Sequence, residues 1–183
     1  MTIKNILEKP RSFYWIIPIF LVSLLYILDI RYFSSPPIHS DDWALIVRLY
    51  IFDDLHSVDW SLTRPFALAL FTLLTNLLGL KLQYYYLVNF LFIFSSGCLL
   101  YLLLKQAFRR QAWLPLPVAL VYLIYPVLYT RTWLTMTTYH FVLWIYLSVI
   151  LLLMNFAGSG RLWQLLLALP LFLISLGIYE GGL

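Results

Sequence analysis

Apolar runs of about twenty residues recur along this chain, at Phe13–Phe33, Tyr84–Leu104, Trp113–Tyr129, Tyr139–Phe156 and Leu162–Tyr179. Nothing else in the sequence limits its fold as strongly. Wound as a helix, a run of that length matches the roughly 30 Å hydrocarbon thickness of a bilayer. A soluble domain of 183 residues buries one core. A chain that is 63% hydrophobic, with mean hydropathy +0.88, has more apolar surface than one core can hide. The expected fold is all-α, a polytopic membrane helical bundle of about five transmembrane helices, with interfacial helices in its first outer loop. Residues 1–183 read as a single transmembrane module without internal repeat or soluble domain.

The first run is too long for a cleaved signal peptide, and no small-residue cleavage site follows it, so it is expected to stay as a signal anchor. Cys98 is the one cysteine and lies mid-run, which excludes an intrachain disulfide and a thiolate metal site. The net charge of +4 comes from basic residues beside the apolar runs. These report topology rather than nucleic-acid binding.

One apolar run, Pro65–Leu80, is ambiguous, and charge decides how it reads. If it does not cross, Lys4, Lys9, Arg11, Lys105, Arg109, Arg110 and Arg161 all face inward with a single acid, Glu8. Arg31, Arg48, Arg64, Lys81 and Arg131 then face outward with the other seven acids. The positive-inside rule favours this arrangement over one with six crossings. Thr72, Thr75, Asn76 and Gly79 also recur at helical spacing as a polar stripe, suited to an interface or a cavity wall. The expected layout is a cytoplasmic N-terminus (1–12), a first span (13–33), an outer loop (34–83) and four further spans (84–183), in a bacterial inner (plasma) membrane.

In so apolar a chain a charge is costly unless it lies outside the hydrocarbon or faces a polar cavity. Six of the eight acids, Asp29, Asp41, Asp42, Asp53, Asp54 and Asp59, fall within one stretch of about thirty residues. Ser40 with Asp41 and Asp42 makes a good helix start, and capping accounts for one acid but not for two. A carboxylate at the rim of a cavity can act as a general base, and Asp41 and Asp42 could hold a divalent cation through oxygen ligands. Arg64, ahead of a helix opened by Pro65, and Arg131 read either as phosphate ligands or as snorkelling anchors. Glu180 ends an apolar run and must meet water or a cavity. Asp53, Asp54 and Asp59 read as solvated loop acids, and His39 and His56 lack metal-ligand spacing. His140, Tyr84-Tyr85-Tyr86 and Trp113 read as interfacial belts, and Asn89 as hydrogen-bonding glue between helices.

The order of these features resembles the N-terminal part of GT-C superfamily membrane glycosyltransferases, such as the protein O-mannosyltransferases and the aminoarabinose transferases of lipid A. An anchor span leads to Ser40-Asp41-Asp42-Trp43. Arg64-Pro65 then opens an apolar helix ending at Leu78-Gly79. Asn89, a basic inner turn, Tyr125-Pro126 and Tyr179-Glu180 follow in order. The chain departs from the pattern at Tyr125, where many relatives have His, and in 130–138, which has no acid. The resemblance implies a sugar moved from a polyprenyl-phosphate donor to a lipid, glycan or protein acceptor at the outer membrane face. Asp41, Asp42 and Glu180 would carry catalysis, and Arg64 and Arg131 would bind the donor phosphate. Such enzymes are far longer, so the chain is expected to be a portion of one. A transporter or lipid-carrier flippase component, or a non-catalytic membrane assembly subunit, are the alternative readings.

Overall fold

The computed structural model describes residues 13–25, 65–79, 81–124 and 137–178. Among them 90% are helical and none forms a strand. A 3-10 turn, Phe13–Trp15, leads into α1 (Ile16–Leu25), and α2 is Pro65–Leu78. There follow α3 (Leu82–Ala107), α4 (Pro115–Ile124), α5 (Thr137–Ser159) and α6 (Leu162–Ile178). Proline opens α2 and α4, where a missing N–H costs no helical hydrogen bond. Gly79 ends α2 at φ +59°, its N–H donating to the Thr75 carbonyl at 2.9 Å. A residue without Cβ takes this left-handed cap freely.

Two helices, Gln83–Ala107 within α3 and Thr137–Ser159, are long and apolar enough to cross a membrane, fewer than the five expected. The expected third span is described only as the ten residues of α4, and the first only to Leu25. The 17 residues of α6 make about 25 Å. Over their most apolar stretches, 33% of residues are buried in α3 and 17% in α5. The core helix of a soluble protein would be mostly buried. Here large apolar side chains face outward, among them Trp113, Leu166 and Leu77.

The bundle is built around α3, and two sets of contacts and two short links define its directions. Trp15 stacks on Tyr101 at 4.3 Å, while Phe20 meets Phe94 at 5.6 Å and Phe90 at 6.0 Å, so α1 runs antiparallel to α3. Phe92 meets Phe141, and Gln106 donates to Asn155 at 3.2 Å, both pairs 49 apart, so α5 runs parallel to α3. The short links through 108–114 and Gly160-Arg161 turn α4 and α6 back against them. Ile19, Ile93, Ala119 and Leu123 form a core on one side of α3. Ala67, Val142, Ile145, Val149, Ala168 and Ile178 form another among α2, α5 and α6.

Helix α2 spans 14 residues, about 21 Å, short of a bilayer crossing. Its buried face is Ala67, Phe71 and Leu74, at helical spacing. Phe66 packs on Gly177 of α6, and at the other end the Tyr85 hydroxyl donates to the Gly79 carbonyl at 3.0 Å. The sequence-level polar stripe lies off the buried face, with Asn76 exposed and the Thr75 hydroxyl bonded to the Phe71 carbonyl at 2.9 Å. The expected aromatic belt is also corrected in part. Tyr84 and Trp113 are exposed, but Tyr85 and Tyr86 are buried against α2 because the helical turn rotates them inward.

The α1–α3–α4 seam depends on one small residue. A Cβ at Gly97 would lie 3.0 Å from Leu123 Cδ1 and 3.3 Å from Ile19 Cγ2. Small residues of this kind let membrane helices approach closely. Gly97→Leu is expected to destabilise the protein by about 1–3 kcal/mol in thermal unfolding in detergent. Gly158→Leu, where nothing lies within 4 Å, should be nearly neutral.

Candidate functional site

The residues singled out for chemistry, Asp41, Asp42, Arg64, Arg131 and Glu180, lie outside the described residues, as do His39, His56, Asp53, Asp54 and Asp59. All eight acids of the chain do. Among the described residues, no group of three His, Cys, Asp or Glu side chains converges on a point.

The described helices set several buried polar side chains at about one level, a tier toward the N-terminal end of α3. The 49-residue offset between α3 and α5 sets Thr138 level with Asn89, and Thr137 and His140 close by. On the other side, Phe20 lies between Phe90 and Phe94, so three residues later Ser23 comes level with about Asn89. Ser23, Asn89, Thr137, Thr138 and His140 are all buried, Asn89 and Thr137 at 0% exposure. Two turns further along the same face of α3 is buried Ser96.

Hydroxyls elsewhere in these apolar helices satisfy themselves by bonding back to the preceding turn. Ser95 donates to Leu91, Ser148 to Trp144 and Ser175 to Phe172, at 2.6–2.8 Å. This is the usual solution for a hydroxyl in an apolar helix. The tier differs. Ser23 Oγ, Ser96 Oγ, Thr137 Oγ1 and both amide atoms of Asn89 meet no hydrogen-bond partner among the described residues. An unsatisfied buried group costs about 1–3 kcal/mol, and Asn89 carries both an acceptor and two donors. Among the described residues, Asn89 therefore does not form the expected bond to a neighbouring helix.

His140 also departs from expectation: it is buried in the first turn of α5, while Tyr139 beside it faces out. A helix advances 100° per residue, so adjacent residues seldom share a face. Of this tier, sequence reasoning marked only Asn89 and His140. Ser23 and Thr137-Thr138 stood in the sequence as polar residues in or beside apolar runs. Only helix direction brings them to one level.

Comparison with family models, curated proteins and solved structures finds no match.

Proposed function

We propose that this protein is a membrane glycosyltransferase of the GT-C type, which moves a sugar from a polyprenyl-phosphate donor to an acceptor at the outer membrane face. The observation that carries the reading is the buried polar tier, at the end of the bundle from which the acid-rich segment departs. That segment follows α1, whose C-terminal end lies beside the N-terminal end of α3. In this reading five spans cross a bacterial inner membrane and α2 does not. The antiparallel pairing of α1 and α3 supports that count, since a full crossing by Pro65–Leu80 would leave them parallel.

In the transfer, Asp41 or Asp42 takes the proton of the acceptor hydroxyl as its oxygen attacks the anomeric carbon. The bond from that carbon to the phosphate oxygen breaks with inversion, and the lipid phosphate leaves. Arg64 and Arg131 bind that phosphate and stabilise the charge developing on it. Glu180 orients the acceptor. The tier offers uncharged donors and acceptors to sugar hydroxyls, and a divalent cation held by Asp41 and Asp42 would add to charge neutralisation at the phosphate. Phe66, two residues after Arg64 in sequence, packs on Gly177, three residues before Glu180, which fits both residues serving one site.

Transfer from a radiolabelled polyprenyl-phosphate sugar in membrane vesicles tests the assignment. Lys in place of Arg64 keeps the charge and the anchoring but loses the two-pronged phosphate geometry. Arg64→Lys is expected to insert normally and lose at least tenfold in rate, about 1.4 kcal/mol. Full activity would make Arg64 an anchor. The tier also favours a second reading, a transporter, because transporters place polar groups inside the bundle. Labelled solute accumulating in vesicles without glycosyl transfer would select it.

A further inference from the structure

The parallel run of α3 and α5 brings together basic residues that are far apart in sequence. Lys105, Arg109 and Arg110 lie at the C-terminal end of α3, and Arg161 follows α5; all four are exposed. Gln106 bonded to Asn155 fixes the two helices side by side just before these ends. The turns that carry the cations are built from backbone hydrogen bonds, Phe108 to Leu104 at 2.7 Å and Gln111 to Phe108 at 3.0 Å. Gly160, at φ +65°, donates to the Phe156 carbonyl at 2.7 Å and turns the chain into Arg161. Tyr101, stacked on Trp15, lies under the Lys105 ammonium at 5.7 Å.

Nothing among the described residues neutralises this charge, since none of them is acidic. Helix dipoles do not do so either. The C-terminal ends of α3 and α5 carry about half a negative charge each, but α4 and α6 begin at the same end with about half a positive charge each. Around the four cations stand exposed Phe108, Trp113, Leu162, Trp163 and Leu166. A partner that offers an anionic head and apolar chains in one molecule fits both features.

We infer that this end of the bundle binds the headgroup of an anionic phospholipid, its phosphate held by Lys105, Arg109, Arg110 and Arg161 and its acyl chains lying along the exposed aromatic and aliphatic rim. Clustered basic residues at a membrane helix end recognise anionic lipids in this way. The inference rests on α3 and α5 crossing a bilayer and is independent of sugar transfer.

The test uses the full chain in a neutral detergent, with equal phosphatidylglycerol and phosphatidylcholine, and counts bound lipids on the intact complex by native mass spectrometry. Phosphatidylglycerol is expected to be favoured at least fivefold, the effect of one basic contact of about 1 kcal/mol. The variant combining Lys105→Gln, Arg109→Gln, Arg110→Gln and Arg161→Gln should lose the preference. Lys81→Gln, at the other end of α3, should keep it. The triple change Arg109→Lys, Arg110→Lys and Arg161→Lys retains charge and should also keep it, which covers failure of the neutralised variant to fold. Equal binding of the two lipids by the unmodified chain overturns the inference, as does a preference that survives neutralisation. Displacement of the lipid by excess inorganic phosphate would mean a free-anion site and overturn it too.

Discussion

Asp41→Asn and Asp42→Asn are expected, at least one of them, to lower glycosyl transfer by about a hundredfold or more, the usual contribution of a general base. The effect is diagnostic because of what Asn preserves. Asn caps a helix about as well as Asp, so a purely capping role predicts near-normal activity in both variants. Asn cannot accept a proton at neutral pH and is a weaker ligand for a hard cation. Expression and thermal unfolding should stay close to those of the unmodified protein in either case. Transfer near the unmodified rate in both single variants would remove the pair from the mechanism and leave Glu180 as the remaining acid candidate.

Asn89→Leu should separate stability from activity, in opposite directions. The amide of Asn89 is fully buried and meets no partner among the described residues, so it weighs against the folded state. Leucine fills a similar volume without an unsatisfied group. A gain of about 1–3 kcal/mol is expected, read as a rise of several degrees in thermal unfolding. If the amide serves a bound sugar, transfer should fall by about tenfold in the same variant. A lower unfolding temperature with unchanged transfer would make Asn89 a structural residue, as its position inside an apolar run first suggested. Thr137→Val should follow the same trend more weakly, since it removes one hydroxyl rather than a whole amide.

The helices themselves were legible from the sequence because apolar runs and their breakers are local signals. Pro65, Gly79, Pro115 and Gly160 mark starts and turns through backbone preferences that need no partner. Side-chain direction was less legible. Tyr84-Tyr85-Tyr86 reads as a belt, yet two of the three turn inward. His140 reads as interfacial and is buried. In helices apolar on every face no stripe announces which side meets a neighbour, so the 3.6-residue period carries little information. The candidate site divides in the same way. Asp41, Asp42, Arg64, Arg131 and Glu180 were singled out by residue type and order, and they lie outside the described residues. The tier of Ser23, Asn89 and Thr137 came only from the helix pairings.

By itself the sequence determined that this chain forms apolar helices and confines its acids to one stretch and its ends, because in hydrocarbon apolar residues are favoured and isolated charges penalised residue by residue. Tertiary structure alone decided that α1 opposes α3 while α5 follows it. Those two directions depend on contacts such as Trp15 on Tyr101 and Gln106 with Asn155, between residues far apart in the chain, and they are what collect polar groups at one end of the bundle and cations at the other.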